Sequence, residues 1–530
     1  MTNLTNQKKV LLVYPRNPIS YWGFQYSAKI ADRESFHPPL ALITVAAMLP
    51  QEWNLRLIDL NRVQFQGELR DEDILWADVV LTTAMIIQKD SLAMVLKRCA
   101  YFGVPTVAGG PFVKEQPDAP ELESATALFL GEAEDLITFK RLVQDLDGEI
   151  TLRSRYQAKE TPVLEGISPT PRFDLLGTVN YHSHSIQISR GCPKRCKFCS
   201  VQKLYGREPR YKSHRQVVAE LEAIYQTGFR GNIFVVDDNL TGHPKLITPI
   251  LMAMLAWQQK RDFPFLFYTQ VSIDIVNRPK LLDLMVRTGF QRAFIGLESP
   301  SEQALENAGK GQNLGMHLPT AVEKIQEAGM MVDAGLIIFH DDGPEIFAQM
   351  REFVRECRID SAMVGLEIAI PGTELYDDMR EERLLLGETD GDQFGFTNIQ
   401  PTQMSLAEMY NGYRKLLRNL YSPWNYFTRA YAALKIWNQR IKRKGSSHEY
   451  GVVPRSLIRQ GIFSTYRLAY WWFMAISFFT MPRKIAVTFS KAIAGHHYIR
   501  YTFRVVSPRL RRKIKSLRRA ERAEARLAAG

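Results

Sequence analysis

The chain has 530 residues, 45% of them hydrophobic, with five cysteines and a formal net charge of +12. This length allows two to four domains with packed cores. So few cysteines, with no apolar targeting segment at the N-terminus, predict a reducing, cytoplasmic location and argue against a disulfide framework. Residues 421–530 hold 23 Lys and Arg against three acidic residues, whereas residues 1–420 hold 45 against 53. A nucleic-acid enzyme with a uniformly basic surface would not show this asymmetry, so we do not expect a nucleic-acid partner.

The N-terminal third alternates between strand-like and helical segments. Residues 8–14 form a continuous apolar run that is typical of a buried parallel strand. The alternation continues to residue 130 and predicts an open, doubly wound α/β sheet, although the Gly-x-Gly-x-x-Gly sequence of dinucleotide-binding domains is absent after the first strand. Ligands bind such sheets at the carboxyl ends of the strands, where glycine lets the backbone approach them closely. The candidates there are Thr82, Thr83, Gly109, Gly110, Gly131 and Glu132.

Three of the five cysteines, Cys192, Cys196 and Cys199, stand within eight residues. Three thiolates at this spacing can hold three irons of a cubane cluster and leave the fourth iron open to bind and reduce a substrate. On a helix the three would share one buried face, but Gly191 and Pro193 disfavour a helix here. The basic residues around the cysteines also favour thiolates. The triplet therefore predicts an iron–sulfur site.

Six strand–helix units follow a polar linker. Repeated βα units predict a parallel sheet that closes into a full or partial barrel, with chemistry at the carboxyl ends of its strands. Five successive strands end in polar residues, which favours a lined cavity over a series of isolated helix caps. The strands are predicted at 185–189, 232–236, 265–269, 293–297, 332–339 and 363–368. The polar residues that follow them include Asp237, Asp238, Gln270, Ser272 and Glu298.

The stretch Cys192-Pro-Lys-Arg-Cys-Lys-Phe-Cys199, with an aromatic residue before the last cysteine, resembles the radical S-adenosylmethionine superfamily. The resemblance implies a [4Fe-4S] cluster on the three cysteines, with S-adenosylmethionine chelated at the open iron and cleaved by one electron to a 5′-deoxyadenosyl radical. It implies that Phe198 packs near the adenine. It also implies that the following residues contact S-adenosylmethionine: Asp237, Asp238, Gln270, Ser272 and Glu298.

Residues 1–150 are similar to the cobalamin-binding domain fused ahead of many radical S-adenosylmethionine enzymes. The matching stretches are His37-Pro-Pro-Leu-Ala-Leu-Ile43, Leu57-Ile-Asp59, Ala108-Gly-Gly-Pro111 and Gly131-Glu-Ala-Glu134. The resemblance implies that Pro38 and the six strand-end candidates named above bind cobalamin. The Asp-x-His-x-x-Gly sequence that supplies an axial histidine in methionine-synthase-type domains does not occur. The lower axial ligand of the cobalt therefore has no candidate.

The fifth strand of the barrel departs from the family pattern. This chain has Gly335-Leu-Ile-Ile-Phe-His-Asp341 where relatives carry Gly-Phe-Ile-Val-Gly-Phe-Asp. Phe339 in place of the second glycine is expected to close space beside the adenosyl pocket, and His340 is expected to be structural. Cys99 and Cys357 lie in helical patterns and are expected to be small buried hydrophobes, so no cysteines are left for auxiliary clusters.

The C-terminal region carries two further signals. Residues 400–423 resemble an extension found in a bacterial subgroup that includes hopanoid methylases. Ala469–Met481 is an apolar, aromatic run of about 13 residues, too short for the ~30 Å core of a bilayer. Its basic flanks and the basic stretch 509–519 fit attraction to anionic lipid, with a solvated basic helix as one alternative and a nucleic-acid partner as the other. We expect a cytoplasmic protein that is peripheral at the inner face of the membrane.

These observations predict four regions. They are a cobalamin-binding-like α/β domain over 1–150, a linker over 151–182, a partial (β/α)6 radical S-adenosylmethionine barrel over 183–400, and a helical basic extension over 401–530. The predicted function is a cobalamin-dependent C-methyltransferase that acts on an unactivated carbon of a small molecule or of a lipid such as a hopanoid. A one-electron reductant such as flavodoxin or ferredoxin would be its partner.

Two other functions stay open at this point. One is a radical cyclase or ring-rearranging enzyme that uses cobalamin without net methyl transfer. The other is a non-catalytic zinc-binding protein docked on membranes or RNA. In that protein His182 or His184 would complete a zinc site with the three cysteines, since structural zinc needs four ligands.

Overall fold

The computed structural model describes residues 7–62, 65, 68–148, 151–441 and 451–528. Residue contacts divide the chain into two units, which are described separately. The first unit comprises Met1–Pro18, Arg33–Pro193 and Val201–Phe265, and the second comprises Ile19–Asp32, Lys194–Ser200 and Leu266–Gly530. The four predicted regions are not these contact units and stay a prediction, and their boundary at residue 150 lies outside the described residues.

A six-stranded, fully parallel sheet with the order β2-β1-β3-β4-β5-β6 opens the first unit. Its strands are β1 (Lys9–Tyr14), β2 (Asn54–Asp59), β3 (Val79–Thr83), β4 (Thr106–Gly109), β5 (Ala127–Leu130) and β6 (Arg155–Gln157). The helices between them are α2 (Leu40–Ala46), α3 (Asp71–Trp76), α4 (Lys89–Tyr101), α5 (Pro111–Glu115) and α6 (Leu136–Asp147).

The apolar run in β1 reflects burial on both faces of this sheet. Val10 and Leu12 pack into one core with α2 and α6. Leu11 and Val13 pack into a second core with α3 and α4. Successive strand residues point to opposite faces, so a strand covered on both sides carries apolar residues at every position. The predicted doubly wound α/β architecture is confirmed.

The rest of the first unit contains a parallel pair and an antiparallel pair of strands. β7 (Ser183–Ile186) pairs in parallel with β10 (Gly231–Val235), and β8 (Ser189–Arg190) pairs antiparallel with β9 (Arg210–Tyr211). The predicted strand at 185–189 is displaced, because the chain ends β7 at Ile186 and forms the short strand β8 from Ser189. The helices here are α7 (Val201–Tyr205), α8 (His214–Gln226) and α9 (Pro244–Gln259).

The second unit holds four parallel strands in the order β14-β13-β12-β11. They are β11 (Phe265–Gln270), β12 (Phe290–Glu298), β13 (Met331–Ile338) and β14 (Ala362–Leu366). The helices that accompany them are α10 (Pro279–Thr288), α11 (Glu302–Asn307), α12 (Leu318–Ala328), α13 (Ile346–Glu356) and α14 (Glu374–Glu381). Cys99 in the first unit and Cys357 here are buried, as expected for small hydrophobes.

The C-terminal part of the second unit is helical, as predicted. Its helices are α15 (Leu406–Leu420), α16 (Pro423–Ile436), α17 (Val452–Ser456), α18 (Arg467–Thr480), α19 (Ile485–Tyr501) and α20 (Ser507–Ala528), with π-helical segments at Leu457–Ile462 and Thr502–Val506. The early helix α1 (Gln25–Ala31) belongs to this unit, and the preceding Tyr21 stacks on Tyr421 at 5.2 Å. No helix of the described residues is both long and apolar enough to cross a bilayer.

A buried ion pair ties helix α19 to the strands of the second unit. Lys491 of α19 binds Asp360, which precedes β14, at 2.7 Å with both side chains 2% exposed. Arg292 of β12 binds Asp333 of β13 at 3.2 Å. Removing either partner of the Lys491–Asp360 pair would leave an uncompensated charge in the core.

Candidate active site

Cys192 lies in the first unit, in the loop that leaves β8. Its backbone nitrogen donates to the carbonyl oxygen of Gly206 at 3.3 Å, and the side-chain amide of Asn239 lies 3.7 Å from its sulfur. Gly191 before it has φ +94°, and a Cβ there would lie 3.0 Å from the carbonyl oxygen of Gly206 and 3.1 Å from that of Glu208. The cysteine is therefore held on a turn that only glycine fits.

Asp237 and Asp238, both predicted to contact S-adenosylmethionine, bind the backbone around this loop. Asp237 is fully buried and accepts hydrogen bonds from the Ile188 nitrogen at 2.8 Å and from the Ser189 hydroxyl. Asp238 accepts from the Gly191 nitrogen at 3.1 Å. Burial raises the pKa of Asp237 to about 7 and that of Asp238 to about 6. The geometry gives both carboxylates a role in holding the cysteine loop, and their contact with S-adenosylmethionine stays a prediction.

Arg190, two residues before Cys192, joins a buried ion network. Its guanidinium contacts Glu134 with two N–H groups at 2.8 Å each and contacts Glu132 at 2.7 Å. Arg210 binds the other oxygen of Glu132 at 2.8 Å. Glu132 was predicted to bind cobalamin, but in the structure two arginines hold its carboxylate. The network joins the loop after β5 to the loop that carries Cys192.

The other predicted cobalamin-contacting residues lie at strand ends of the first sheet. Thr82 of β3 has a buried hydroxyl oxygen with no hydrogen-bond partner among the described residues, so it suits a polar group of a ligand. A Cβ on Gly110, at φ +95°, would approach backbone atoms of Ala84 at 3.2 Å. Gly131, at φ +149°, has no room for a Cβ beside Ala158. Of the remaining three, Pro38 lies before α2. Thr83 is the last residue of β3, and Gly109 is the last residue of β4.

In the second unit, the segment 194–200 carries Cys196 and Cys199. The Cys199 nitrogen donates to the Cys196 carbonyl oxygen at 3.2 Å, and the amide nitrogen of Gln312 lies 3.5 Å from the Cys196 sulfur. Lys197 bonds through its backbone to Ala308 and to Leu375, each at 3.1 Å. The segment is thus clamped by the chain that follows α11 and by the start of α14.

Lys310 is a functional candidate that the sequence reasoning missed. Its ammonium binds the carboxylate of Glu298 and lies 5.8 Å from the ring centre of Phe198. Burial alone would lower the pKa of Lys310, but Glu298 and then the thiols of Cys196 and Cys199 outweigh it and raise that pKa. Lys310 therefore stays charged beside both thiols. The only local sign in the sequence that marked Lys310 was its position between two glycines shortly after α11.

Phe339 fills the space next to Phe198. It is 2% exposed and packs with Ala304 and Ala308 against the Phe198 ring. His340 bonds to Glu367 through Nδ1 at 2.6 Å. Burial works against the charged form of His340, but Glu367 prevails and raises its pKa. The histidine thus joins two strand ends and is engaged in a structural contact.

The remaining candidates lie at a strand end, before a turn and within a strand. Gln270 ends β11 opposite Phe294, and Ser272 precedes the 3₁₀ turn Ile273–Asn277. His184 lies in β7 with its ring 4.3 Å from that of Phe229, and burial lowers its pKa to about 4. Among the described residues, no three His, Cys, Asp or Glu side chains converge on the position of a single metal ion.

Comparison with known proteins agrees with this picture. A family model of the radical SAM superfamily matches residues 186–370, and a domain of unknown function, DUF4070, matches residues 373–509. An uncharacterised methyltransferase of Synechocystis is 35% identical over 80% of this chain and 78% of its own. The hopanoid C-2 methylase of Rhodopseudomonas palustris is 30% identical over 88% of both chains. The cobalamin-dependent radical enzyme OxsB, solved with aqua-cobalamin and S-adenosylmethionine, has a TM-score of 0.59 at 15% identity, over 96% of this chain and 83% of its own.

Proposed function

Because the chain belongs to the cobalamin-binding-domain radical S-adenosylmethionine enzymes, in the subgroup that contains the hopanoid methylases, we propose that it transfers a methyl group to an unactivated carbon. The observation that carries this proposal is the match to a named methylase over 88% of both chains. The substrate is a small molecule or a lipid such as a hopanoid.

The residues present fit the cofactors that this function needs. Cys192, Cys196 and Cys199 would hold the [4Fe-4S] cluster, and amide nitrogens beside two of the three sulfurs suit cluster thiolates. Thr82 and the strand ends around it would hold cobalamin, since the buried hydroxyl of Thr82 lacks a partner among the described residues. When bound, the cluster supplies the electron that cleaves S-adenosylmethionine, and cobalamin carries the methyl group.

The chain contributes placement, charge and the exclusion of water. Asp238 and the hairpin of β8 and β9 hold the loop of Cys192. Phe198, backed by Phe339, offers an apolar ring for the adenine. Lys310 keeps a positive charge beside the thiols and orients Glu298. Radical chemistry depends on holding the reactants close together in a dry site, and within each unit these contacts fix groups that such chemistry would use.

The test is methyl transfer from S-adenosylmethionine labelled in its methyl group. The full chain is reconstituted anaerobically with iron, sulfide and cobalamin, reduced by flavodoxin or ferredoxin, and supplied with a hopanoid or a bacterial lipid extract. We expect labelled product together with 5′-deoxyadenosine. Cys196→Ala abolishes both products, whereas the matched control Cys357→Ala, at a buried cysteine outside the triplet, leaves both in place. A lack of label in every product would contradict methyl transfer.

The same assay separates the two alternatives. A cyclase or rearranging enzyme forms 5′-deoxyadenosine and an altered carbon skeleton without label. A zinc-binding interaction protein takes up zinc and shows no broad iron–sulfur absorbance near 400 nm (about the usual region) after reconstitution. Either result would replace the methyltransferase proposal.

We also propose that the protein works in the cytoplasm, peripheral at the inner face of the membrane. The support is the basic composition of residues 421–530, since anionic lipids of the cytoplasmic leaflet attract Lys and Arg. A lipid substrate would give this location a purpose, because the enzyme would take an insoluble molecule from the bilayer.

A further inference from the structure

Helix α18 is apolar on its outer face as well as on its inner face. Exposed residues recur at helical spacing along the outer face, and Leu468 is 74% and Phe479 81% exposed. The other exposed apolar residues of this stripe are Trp471, Ala475 and Phe478. A surface helix of a globular domain normally turns polar residues to water. The outer face of α18 is apolar instead, so we expect this face to contact a partner.

The π-helical segment Leu457–Ile462 extends the same surface. The indole nitrogen of Trp471 donates to the carbonyl oxygen of Gly461 at 2.9 Å, which fixes α18 against this segment. Phe463, directly after the segment, is 76% exposed. We call the whole surface the apolar patch; it consists of Ile458, Ile462, Phe463, Leu468, Trp471, Phe478 and Phe479.

Folding of the C-terminal helices does not use the apolar patch. The inner face of α18 is already packed, with Tyr470 and Phe473 fully buried. The ring of Phe473 stacks on Phe427 of α16 at 5.1 Å. Since contiguous exposed apolar surface is unusual on a monomer, the patch is better explained by an interaction than by stability.

The segment of chain that carries the patch has charged residues of one sign. Residues 451–520 contain 15 Lys and Arg and no Asp or Glu. Arg459 within the π-helical segment, Arg467 at the start of α18 and Arg483 just after its end are exposed. Apolar side chains that sit between arginines match the interface of an anionic bilayer, where acyl chains lie below negative headgroups.

We propose that the apolar patch docks on the surface of an anionic lipid bilayer, with α18 lying in the plane of the interface. At 14 residues and 1.5 Å per residue the helix is about 21 Å long, shorter than the ~30 Å core, so it inserts without crossing. A second copy of the chain would bring like charges together, which disfavours self-association. Nucleic acid would need cations at the centre of the surface, where this one has Phe and Leu.

This inference rests on the proposed function for its purpose, delivery of a lipid substrate, but its test is independent of catalysis. The full-length protein, without cofactors, is sedimented with phosphatidylcholine vesicles that contain or lack about 20% phosphatidylglycerol. Failure of methyl transfer would leave this result unaffected, and failure of vesicle binding would leave methyl transfer to soluble substrates intact.

We expect binding to the anionic vesicles that weakens at high salt, because ~1 M salt shortens the Debye length to about 3 Å. The triple variant Phe463→Ser, Leu468→Ser, Phe479→Ser loses about tenfold or more of the vesicle partitioning. The matched control Leu75→Ser, Tyr101→Ser, Ile137→Ser removes three equally exposed apolar residues from the first unit and leaves binding unchanged.

A measurement on the wild-type chain guards against a misfolded variant. Lipids brominated on their acyl chains should quench tryptophan fluorescence, and Trp471→Phe should remove a large part of that quenching. Equal binding by the triple variant and the wild type, equal binding to vesicles without phosphatidylglycerol, or an absence of quenching would overturn the proposal. The proposal would also be overturned if the wild type were a dimer that does not bind vesicles and the triple variant were a monomer. The patch would then bind a second copy of the chain.

Discussion

Arg190 and Glu134 form a two-point contact, with each of two guanidinium nitrogens 2.8 Å from its own carboxylate oxygen and with both side chains nearly buried. The hydroxyl of Ser168 donates to the same carboxylate at 3.0 Å. Burial alone would raise the pKa of Glu134, but the Arg190 guanidinium outweighs it and lowers that pKa. Within the first unit, this buried ion pair therefore joins two loops. One is the loop after β5, which is predicted to contact cobalamin, and the other is the loop of Cys192, which is predicted to bind the iron–sulfur cluster.

Arg190→Met should destabilise the first unit by about 3–5 kcal/mol, because it leaves the carboxylate of Glu134 buried without a counter-charge. The matched control is Arg172→Met, which breaks a pair with Asp174 of similar two-point geometry whose side chains are 39% and 60% exposed. Such an exposed pair contributes about 0–1 kcal/mol. Urea unfolding of the apo-protein measures the change in the free energy of unfolding for both variants. Equal losses of stability would contradict a larger contribution from the buried network.

Lys310→Met should slow alkylation of Cys196 and Cys199 by iodoacetamide in the apo-protein, since the Lys310 ammonium interacts favourably with negative charge that develops on the two sulfurs. Peptide mass spectrometry gives the rate at each cysteine. The control Lys491→Met breaks another buried pair of the second unit, with Asp360, and so removes a comparable ion pair without removing the charge beside the thiols. If Lys491→Met changed the two alkylation rates by as much, the effect of Lys310 would be one of folding and not of charge.

Asp237 should make stability fall as pH rises. Its pKa is about 7 in the folded chain, above the model-peptide value of 3.8, so the folded state holds its proton more tightly. The contribution of Asp237 is therefore greatest below about pH 4 and is lost as pH rises through about 7. In urea unfolding, the advantage of wild type over Asp237→Asn should be larger at pH 5 than at pH 8. A pH-independent difference between the two proteins would contradict this assignment.

Much of the fold could be predicted because its signals are local. The apolar run of β1 reports a strand buried on both faces. Ser213 and Gln216, three residues apart, form the capping box that starts α8. The strand predicted at 185–189 is displaced because only two residues separate the short strands β7 and β8, too few for a local pattern to mark the break between them.

The polar contacts of the candidate site were beyond sequence reasoning. Arg190 pairs with Glu134 across 56 positions, and no local spacing marks such a pair. Glu132 was predicted to bind cobalamin from the resemblance of Gly131-Glu-Ala-Glu134, which stays a prediction, and no sequence pattern indicates that two arginines hold its carboxylate. Lys310 stands in a loop without periodicity, so only the folded chain shows that it lies beside Phe198.

Gly191→Ala should lower the free energy of unfolding more than Gly206→Ala does. It should also lower the iron content per chain after reconstitution more than Gly206→Ala does. Both glycines have positive φ, +94° and +82°, so alanine pays about 1–2 kcal/mol of backbone strain at either position. At Gly206 an added Cβ meets nothing within 4 Å, whereas at Gly191 it meets the carbonyl oxygens of Gly206, Glu208 and Tyr205 at 3.0–3.3 Å. The turn that carries Cys192 has to shift in Gly191→Ala alone. Iron per chain after anaerobic reconstitution should therefore drop in that variant and stay at the wild-type level in Gly206→Ala, and equal iron contents would show that the turn does not position the cysteine.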